Sequence, residues 1–263
     1  MNLIKNNDFE ISIITVCFNS EKTIRTTLES VKNQSLKNIE HIIIDGSSDD
    51  NTLSIIKKYP HVSKIISEKD KGVYDAMNKG VKVAKGRIIG FLNSDDFYTN
   101  DKVLSKVSKT LNLNNSLEAC YSNLIYVNQY DISKNIRFWK SSKFIQGSFS
   151  KGWCPPHPTF FALKSVYERF GNFNLDYKLA SDNDIMMRFL EINKIKNQYI
   201  PEVWVKMRLG GNTNKNFKNI FLQNLEILKA LRKNGMSSNS ISFFLNKTFL
   251  RLKQIVNRDE PIK

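Results

Sequence analysis

Apolar and polar positions switch between two periods over the first hundred residues. Residues 11–18 (ISIITVCF) form a short β-branched run with almost no polar positions, the pattern of a strand buried on both faces. In residues 21–34, Ile24, Leu28 and Val31 recur at helical spacing, and Asn19 or Ser20 stands ready to cap the start. The alternation then continues. Residues 40–45 (EHIIID) read as a strand, 49–59 as a helix stopped by Pro60, and 62–67 as a third strand. Residues 73–84 read as a helix ending near Gly86, and 87–92 (RIIGFL) as a fourth strand. Strands alternating with helices predict an α/β fold, with a mostly parallel central sheet flanked by helices on both faces.

Beyond Asp96 the pattern loosens. Residues 104–113 predict a helix, and 119–127 and 136–140 predict strands that suit an antiparallel pair. Residues 147–158 are rich in Gly, Pro and aromatics and read as loop. Helices are expected over 163–170 and 184–192, and a strand over 198–205. Two helices, 217–232 and 241–256, follow and are joined near Gly235. No internal repeat or low-complexity tract interrupts this order.

Length and composition narrow the picture. A chain of 263 residues with 41% hydrophobic and 25% charged positions is globular, long enough for one large α/β domain with an appendage. Its three cysteines, Cys17, Cys120 and Cys154, have no CxxC spacing, which argues against a disulfide framework and for a reducing compartment. The N-terminal residues lack the apolar stretch of a signal peptide, and no run reaches the roughly 20 apolar residues of a spanning helix. A cytoplasmic location is the expectation. The net charge of +15 is concentrated late: from residue 206 on, twelve Lys and Arg stand against three Asp and Glu. Such a field attracts nucleic acid, anionic lipid or phosphorylated substrates alike.

Candidate chemistry gathers where the first strands end. Ligands of open α/β sheets sit outside the carboxyl ends of parallel strands. There the chain places Phe18-Asn19, then Asp45-Gly46-Ser47-Ser48-Asp49, then Asn93-Ser94-Asp95-Asp96. Neither GxGxxG nor GxxxxGK[ST] is present, so a dinucleotide fingerprint and a P-loop are both excluded. Two adjacent carboxylates behind a buried strand are costly unless a cation or proton lies between them. Mg²⁺ or Mn²⁺ is commonly held by one or two carboxylates plus substrate phosphates. The bland alternative is that Ser94-Asp95-Asp96 is a turn or helix cap. Likewise Ser47, Ser48 and Asp49 suit the cap of the next helix, while Asp45 is placed to face a ligand.

Taken together, ITVCFNSEKTIRTTLESVKNQS, IIIDGSSDDNT and DKGVYDAMNKGVKVAKGRIIGFLNSDD resemble the family 2 inverting glycosyltransferases with a GT-A fold. The similarity is greatest to bacterial enzymes of surface-polysaccharide assembly. It runs over residues 11–98, with shorter matches at HPTFFA and ASDNDIMMRF. The resemblance implies a UDP-sugar donor and a Mn²⁺ or Mg²⁺ ion. It implies that Val16, Phe18, Asn19 and Glu21 line the nucleotide, that Asp45 reads the base, and that Lys71 meets the donor phosphates or base. Asp95 and Asp96 correspond to the DxD-type site, with Asp96 on the metal and Asp95 touching ribose or metal. The chain departs from the commonest form by carrying Asn93 where a first Asp often stands. The implied organisation is a catalytic domain over 1–212, with donor half 1–98 and acceptor half 99–212, followed by a helical extension over 213–263.

Inverting transfer needs a carboxylate base opposite the leaving diphosphate. Asp182 matches the acidic position of the family's ED-like motif; Asp184 is its rival, and capping of the helix is the structural alternative. His157, in CPPHPTFFA, is either a buried structural ring or part of the acceptor or donor pocket. Arg208, before Gly210 and Gly211, resembles the family's flexible segment and is a candidate diphosphate contact. In the tail, Ile241, Phe244, Leu245, Phe249, Leu252, Ile255 and Val256 form an apolar stripe, with Lys247, Arg251 and Lys253 at other positions. A basic amphipathic helix of this kind suits an anionic membrane surface; packing on the catalytic domain or on a second copy is the alternative. Acceptors in the family are often lipid-linked saccharides, which favours a peripheral position at the inner membrane face. A non-catalytic nucleotide-sugar-binding subunit is the competing function. A nucleotidyltransferase lacks its phosphate loop here, and nucleic-acid binding has only net charge behind it.

Overall fold

The computed structural model describes residues 9–210 and 217–256. The first four strands are β1 (Ile11–Cys17), β2 (Ile39–Asp45), β3 (Val62–Ser67) and β4 (Ile88–Phe91), side by side in the order β3-β2-β1-β4 and all parallel. Between them run α1 (Ile24–Lys32), α2 (Thr52–Ile56) and α3 (Val73–Val83). Alternation along the strands feeds two cores. Ile14, Val16, Ile42, Ile44, Ile89 and Phe91 face α3, whereas Cys17 and Ile43 face α1 and α2. Close helix–sheet approach depends on Gly80 of α3, where a Cβ would come within 2.4 Å of Ile14 Cγ2.

The second half continues the same sheet with mixed directions. A two-residue β5 (Phe97–Tyr98) and α4 (Val103–Leu113) lead to β6 (Ala119–Val127) and β7 (Asn135–Trp139). Then come β8 (Phe161–Leu163), α5 (Lys164–Phe170), α6 (Ser181–Met187), a π turn at Arg188–Ile192 and β9 (Asn197–Arg208). β8 runs antiparallel between β4 and β6 and joins the halves. β9 lies parallel to β6, and β5 pairs antiparallel with β9. Gly90 in β4 makes room for Phe161 of β8, whose ring would lie 2.3 Å from an added Cβ.

Some elements differ from their sequence expectation for identifiable reasons. The second helix, expected over 49–59, is confined to Thr52–Ile56 because the residues before it bond elsewhere. Asp49 N–H donates to Asn19 Oδ1 (3.0 Å), and Asn51 N–H to Glu21 Oε2 (3.1 Å). Asn19, expected as a cap of the first helix, sits instead at φ 48° and is used in this cross-loop bond. The first helix starts at Ile24 without a side-chain cap.

The two late helices, α7 (Phe217–Lys233) and α8 (Ser240–Val256), pack on the catalytic body. Ile227, Leu228, Ala230, Leu231 and Phe243 belong to the same core cluster as Ile14 and Phe91. The expected boundary at 212/213 lies outside the described residues. On α8 the inward stripe is Phe243, Phe244, Lys247, Arg251 and Gln254, while Ile241, Leu245, Phe249, Leu252, Ile255 and Val256 are exposed. The cationic side of this helix therefore faces the protein and its apolar stripe faces out. Among the described residues no helix is long and apolar enough to cross a membrane.

Candidate active site

The carboxyl ends of β1, β2 and β4 converge, and register places Cys17, Asp45 and Ser67 level across β1, β2 and β3. Asp45 is fully buried. Its Oδ2 accepts from Ser67 Oγ (2.7 Å) and Ser48 N–H (3.0 Å), and its Oδ1 from Ser48 Oγ and, at 3.6 Å, Cys17 Sγ. Both oxygens are engaged within the protein, so a base donating to Asp45 has to exchange with the Ser48 hydroxyl. The loop after β1 is stitched to the loop after β2. Asn19 N–H donates to Ser48 Oγ (2.9 Å), Ser20 N–H to Thr52 Oγ1 (2.7 Å) and Glu21 N–H to Asp50 Oδ2 (3.1 Å). Val16 is buried beneath this surface and Phe18 stands 63% exposed above it, free to stack. Lys71 is exposed at the start of α3, where its N–H donates to Asp75 Oδ2 (3.0 Å).

Asp95 and Asp96 follow β4. Asp96 is fully buried: Oδ2 accepts from Asn93 Nδ2 (3.1 Å), but Oδ1 has no hydrogen-bond partner. Burial first, then the neighbouring Asp95 charge, push the Asp96 carboxyl well above the ordinary range. Burial likewise raises Asp95, with the Arg208 charge opposing it. Arg208, at the end of β9, grips this turn from behind: its guanidinium donates to the Asp95 carbonyl (2.7 Å) and Thr26 Oγ1 (3.1 Å). Thr27 Oγ1 holds the Asp96 carbonyl at 2.7 Å. An orphan buried carboxylate oxygen beside a second carboxylate fits a divalent cation, which would lower the cost of both charges. Among the described residues no set of three or more His, Cys, Asp and Glu forms a closed cage. Two carboxylates alone would leave positions for phosphate oxygens and water, as Mg²⁺ and Mn²⁺ sites commonly do.

Asp182 opens α6 and is partly buried. Tyr74 Oη, from α3, donates to its Oδ1 at 3.0 Å and ties the first half of the chain to the second. Asp184 has a different setting. It is 2% exposed, with Oδ2 bonded to Arg188 Nε (3.0 Å) and Oδ1 to Asn234 Nδ2 (3.1 Å). Both oxygens are occupied by a buried ion pair and an amide, which is the environment of a structural carboxylate. His157 lies in a short turn (His157–Thr159), its ring stacked on Phe91 (5.3 Å) and edge-on to Phe173 (5.6 Å). Burial lowers its pKa against the pull of nearby Asp182, so the ring is neutral and forms an apolar wall of the pocket.

Two further residues near Asp182 were visible in the sequence without this role being assigned to them. Cys154 and Lys247 both lie within the field of Asp182. Lys247 packs its stem against Gly152, where a Cβ would stand 3.1 Å from Lys247 Cγ, and donates to Asn224 Oδ1 at 3.0 Å. Burial first and Arg251 second hold the Lys247 ammonium down at about 8. Helical spacing from Phe243 would have turned Lys247 inward had Phe243 been recognised as the buried member of α8.

Comparison with known proteins agrees with this architecture. The model of the family described as Glycosyl transferase family 2 matches residues 12–171. The chain is 30% identical over 236 residues to an Escherichia coli protein, UDP-Glc:alpha-D-GlcNAc-diphosphoundecaprenol beta-1,3-glucosyltransferase WfaP, covering 84% of this chain and 86% of that one. Among solved structures, S. aureus TarS 1-349 in complex with UDP-GlcNAc superposes with a TM-score of 0.66 at 18% identity, covering 95% of this chain and 72% of that 1-349 chain. The mannosyltransferase PcManGT from Pyrobaculum calidifontis, solved with GDP-Man and Mn2+, gives 0.64 at 17% identity, covering 92% and 69%. The fold is thus the GT-A fold of nucleotide-sugar transferases. The chain belongs to glycosyl transferase family 2 and is a glycosyltransferase.

Proposed function

We propose that the protein moves a hexose or N-acetylhexosamine from a UDP-sugar to a lipid-linked saccharide, with inversion at the anomeric carbon. The observation that carries this reading is the presence of two unlike carboxylate settings, which we assign to opposite sides of the bound donor. One is Asp96, buried with an orphan oxygen beside Asp95; the other is Asp182, partly buried and oriented by Tyr74. A Mn²⁺ or Mg²⁺ ion held by Asp96 and Asp95 would neutralise charge developing on the departing diphosphate. Phe18 supplies a stacking face for the base, Asp45 a buried acceptor for its N–H once Ser48 exchanges, and Lys71 a cation at the rim. Arg208 keeps the carboxylate turn in place. Asp182 takes the proton of the acceptor hydroxyl as that oxygen attacks, with Oδ1 already held by Tyr74. The WfaP name, which specifies UDP-Glc and a diphosphoundecaprenol-linked GlcNAc, supports the donor and acceptor classes. The exposed apolar stripe of α8 supports peripheral attachment at the cytoplasmic face of a membrane, within a surface-polysaccharide pathway.

The direct test is thermal stabilisation by a panel of nucleoside diphosphates, with and without Mn²⁺. Stabilisation by UDP that needs the metal is expected. A response to no nucleotide under either condition would overturn the donor assignment.

A further inference from the structure

Three half-buried cations form a row leading away from the Asp182 pocket, and the proposed transfer step uses none of them. Lys247 and Arg251 stand four residues apart on the inward face of α8, so their side chains are neighbours. α8 packs across β7, which contributes Arg137. The Arg137 guanidinium stacks 3.8 Å above the Tyr126 ring, and its Nε is buried without a hydrogen-bond partner. Lys247 donates to a neutral amide, Asn224 Oδ1, and lies 5.5 Å from the Phe243 ring centroid, with the Asp182 charge at longer range. Among the described residues none of the three forms an ion pair. Burial first, then the next cation in the row, lowers two of them: Arg137 adds to the effect at Arg251, and Arg251 to that at Lys247.

Like charges brought together out of water are costly, and single buried cations normally acquire a counter-ion. An anion carrying more than one charge would satisfy the row. Its inner end, Lys247, lies within the field of the proposed base, and the outward face of the same helix carries an apolar stripe of Leu245, Phe249, Leu252 and Ile255, each roughly half to two-thirds exposed. A ligand that fits both features has a sugar at the base, a di-anion behind the sugar, and a hydrocarbon tail beyond.

We propose that Lys247, Arg251 and Arg137 bind the diphosphate of a lipid-diphosphate-linked acceptor. This rests on the reading that the acceptor is lipid-linked. The row acts by charge-assisted hydrogen bonds to phosphate oxygens, with the two guanidiniums suited to bidentate contact. The C-terminal helices thereby become part of the acceptor site, and the exposed stripe of α8 becomes the surface along which the lipid chain leaves.

The test is a calorimetric titration of the full chain with geranyl diphosphate after the donor site has been saturated with UDP and Mn²⁺. Inorganic diphosphate and geraniol serve as the separate halves of the probe. Binding of geranyl diphosphate is expected, tighter than either half, and weakened about 10- to 100-fold in Lys247→Ala and in Arg251→Gln. Lys247→Arg should restore most of it. The UDP titration that precedes each run must be unchanged in the variants. Loss of UDP binding together with geranyl diphosphate binding would show that the row serves the donor, and would overturn the proposal. So would equal binding of geranyl diphosphate by wild type and by the Lys247→Ala, Arg251→Gln double variant. Inorganic diphosphate binding as tightly as geranyl diphosphate would overturn the lipid assignment. Failure of wild type to bind UDP at all would instead count against the donor reading. A shifted pH–rate profile in Lys247→Ala with probe binding intact would make Lys247 a tuner of Asp182 and refute its role as a diphosphate ligand.

Discussion

The two candidate regions are built in different ways. In the proposed donor region every candidate residue but Val16 ends or follows a parallel strand, and the loops are bonded to each other through Asn19, Glu21 and Ser48. In the proposed acceptor region Asp182 is bonded to Tyr74 of α3 and lies in the field of Cys154, before β8, and Lys247 of α8, which only tertiary packing brings together. A sheet edge can present a ligand site on local instruction alone, whereas a pocket assembled from separated helices depends on the whole body being packed.

The sharpest way to break this contrast is at the two acids of α6. Asp182→Asn should lower transfer about 10²- to 10⁴-fold, the range for loss of a general base, while leaving UDP affinity unchanged. Near-normal turnover in that variant would remove Asp182 from the mechanism. Asp184→Asn should instead lower the urea midpoint, because partly buried Arg188 would lose its counter-charge and keep only the Phe170 and Asn172 carbonyls.

Next in size is the late helix. Phe243 is 1% exposed, so Phe243→Ala should cost about 3–5 kcal/mol of unfolding free energy. Phe249 is 67% exposed, and its truncation should stay within about 0.5 kcal/mol. Equal, small losses for both would mean that α8 is an appendage rather than part of the acceptor side.

On the donor side, Asn93→Ala removes the amide that orients Asp96. The Mn²⁺ concentration needed for UDP binding should rise about 10- to 100-fold, as expected for a supporting residue of a metal site. An unchanged Mn²⁺ requirement would argue that Asp96 needs no such support.

The smallest effect is a titration beneath the donor sheet. His41 is fully buried, bonded to Thr15 (3.0 Å) and His61 (3.2 Å), and burial first and His61 second hold its pKa down at about 3. The unfolded chain takes up this proton near pH 6.5, so folded stability is full above that pH and falls as the pH drops toward 3. About 2 kcal/mol should be lost between about pH 6.5 and 5 on this account, and His41→Gln should flatten the profile. Identical urea midpoints at the two pH values in wild type would refute it.

The same contrast explains what the sequence disclosed. The buried run EHIIID, ending in Asp45, and the helical spacing of Ile24, Leu28 and Val31 made the donor half legible almost element by element. β5 and β8, of two and three residues, are too short for any periodicity to register. The stripe Ile241, Leu245, Phe249 was visible, yet its exposure was not, because apolar periodicity marks a face without saying which way it points. Tyr74 and Asn224 had no distinguishing spacing, and Lys247 stood out only as a basic position of the tail; their contacts arise between segments far apart in the chain.

Glu226 of α7 has a consequence for how the molecule comes into being. Its carboxylate accepts the N–H groups of Lys178 (3.1 Å) and Leu179 (2.7 Å), just ahead of the helix that carries Asp182. During synthesis the strands of the donor edge leave the ribosome first, while the clasp for residues 178–179 arrives almost fifty residues after the segment it holds. The nascent protein thus makes the proposed donor edge before the clasp on the segment that leads into Asp182, and that segment stays unclasped until α7 has been made.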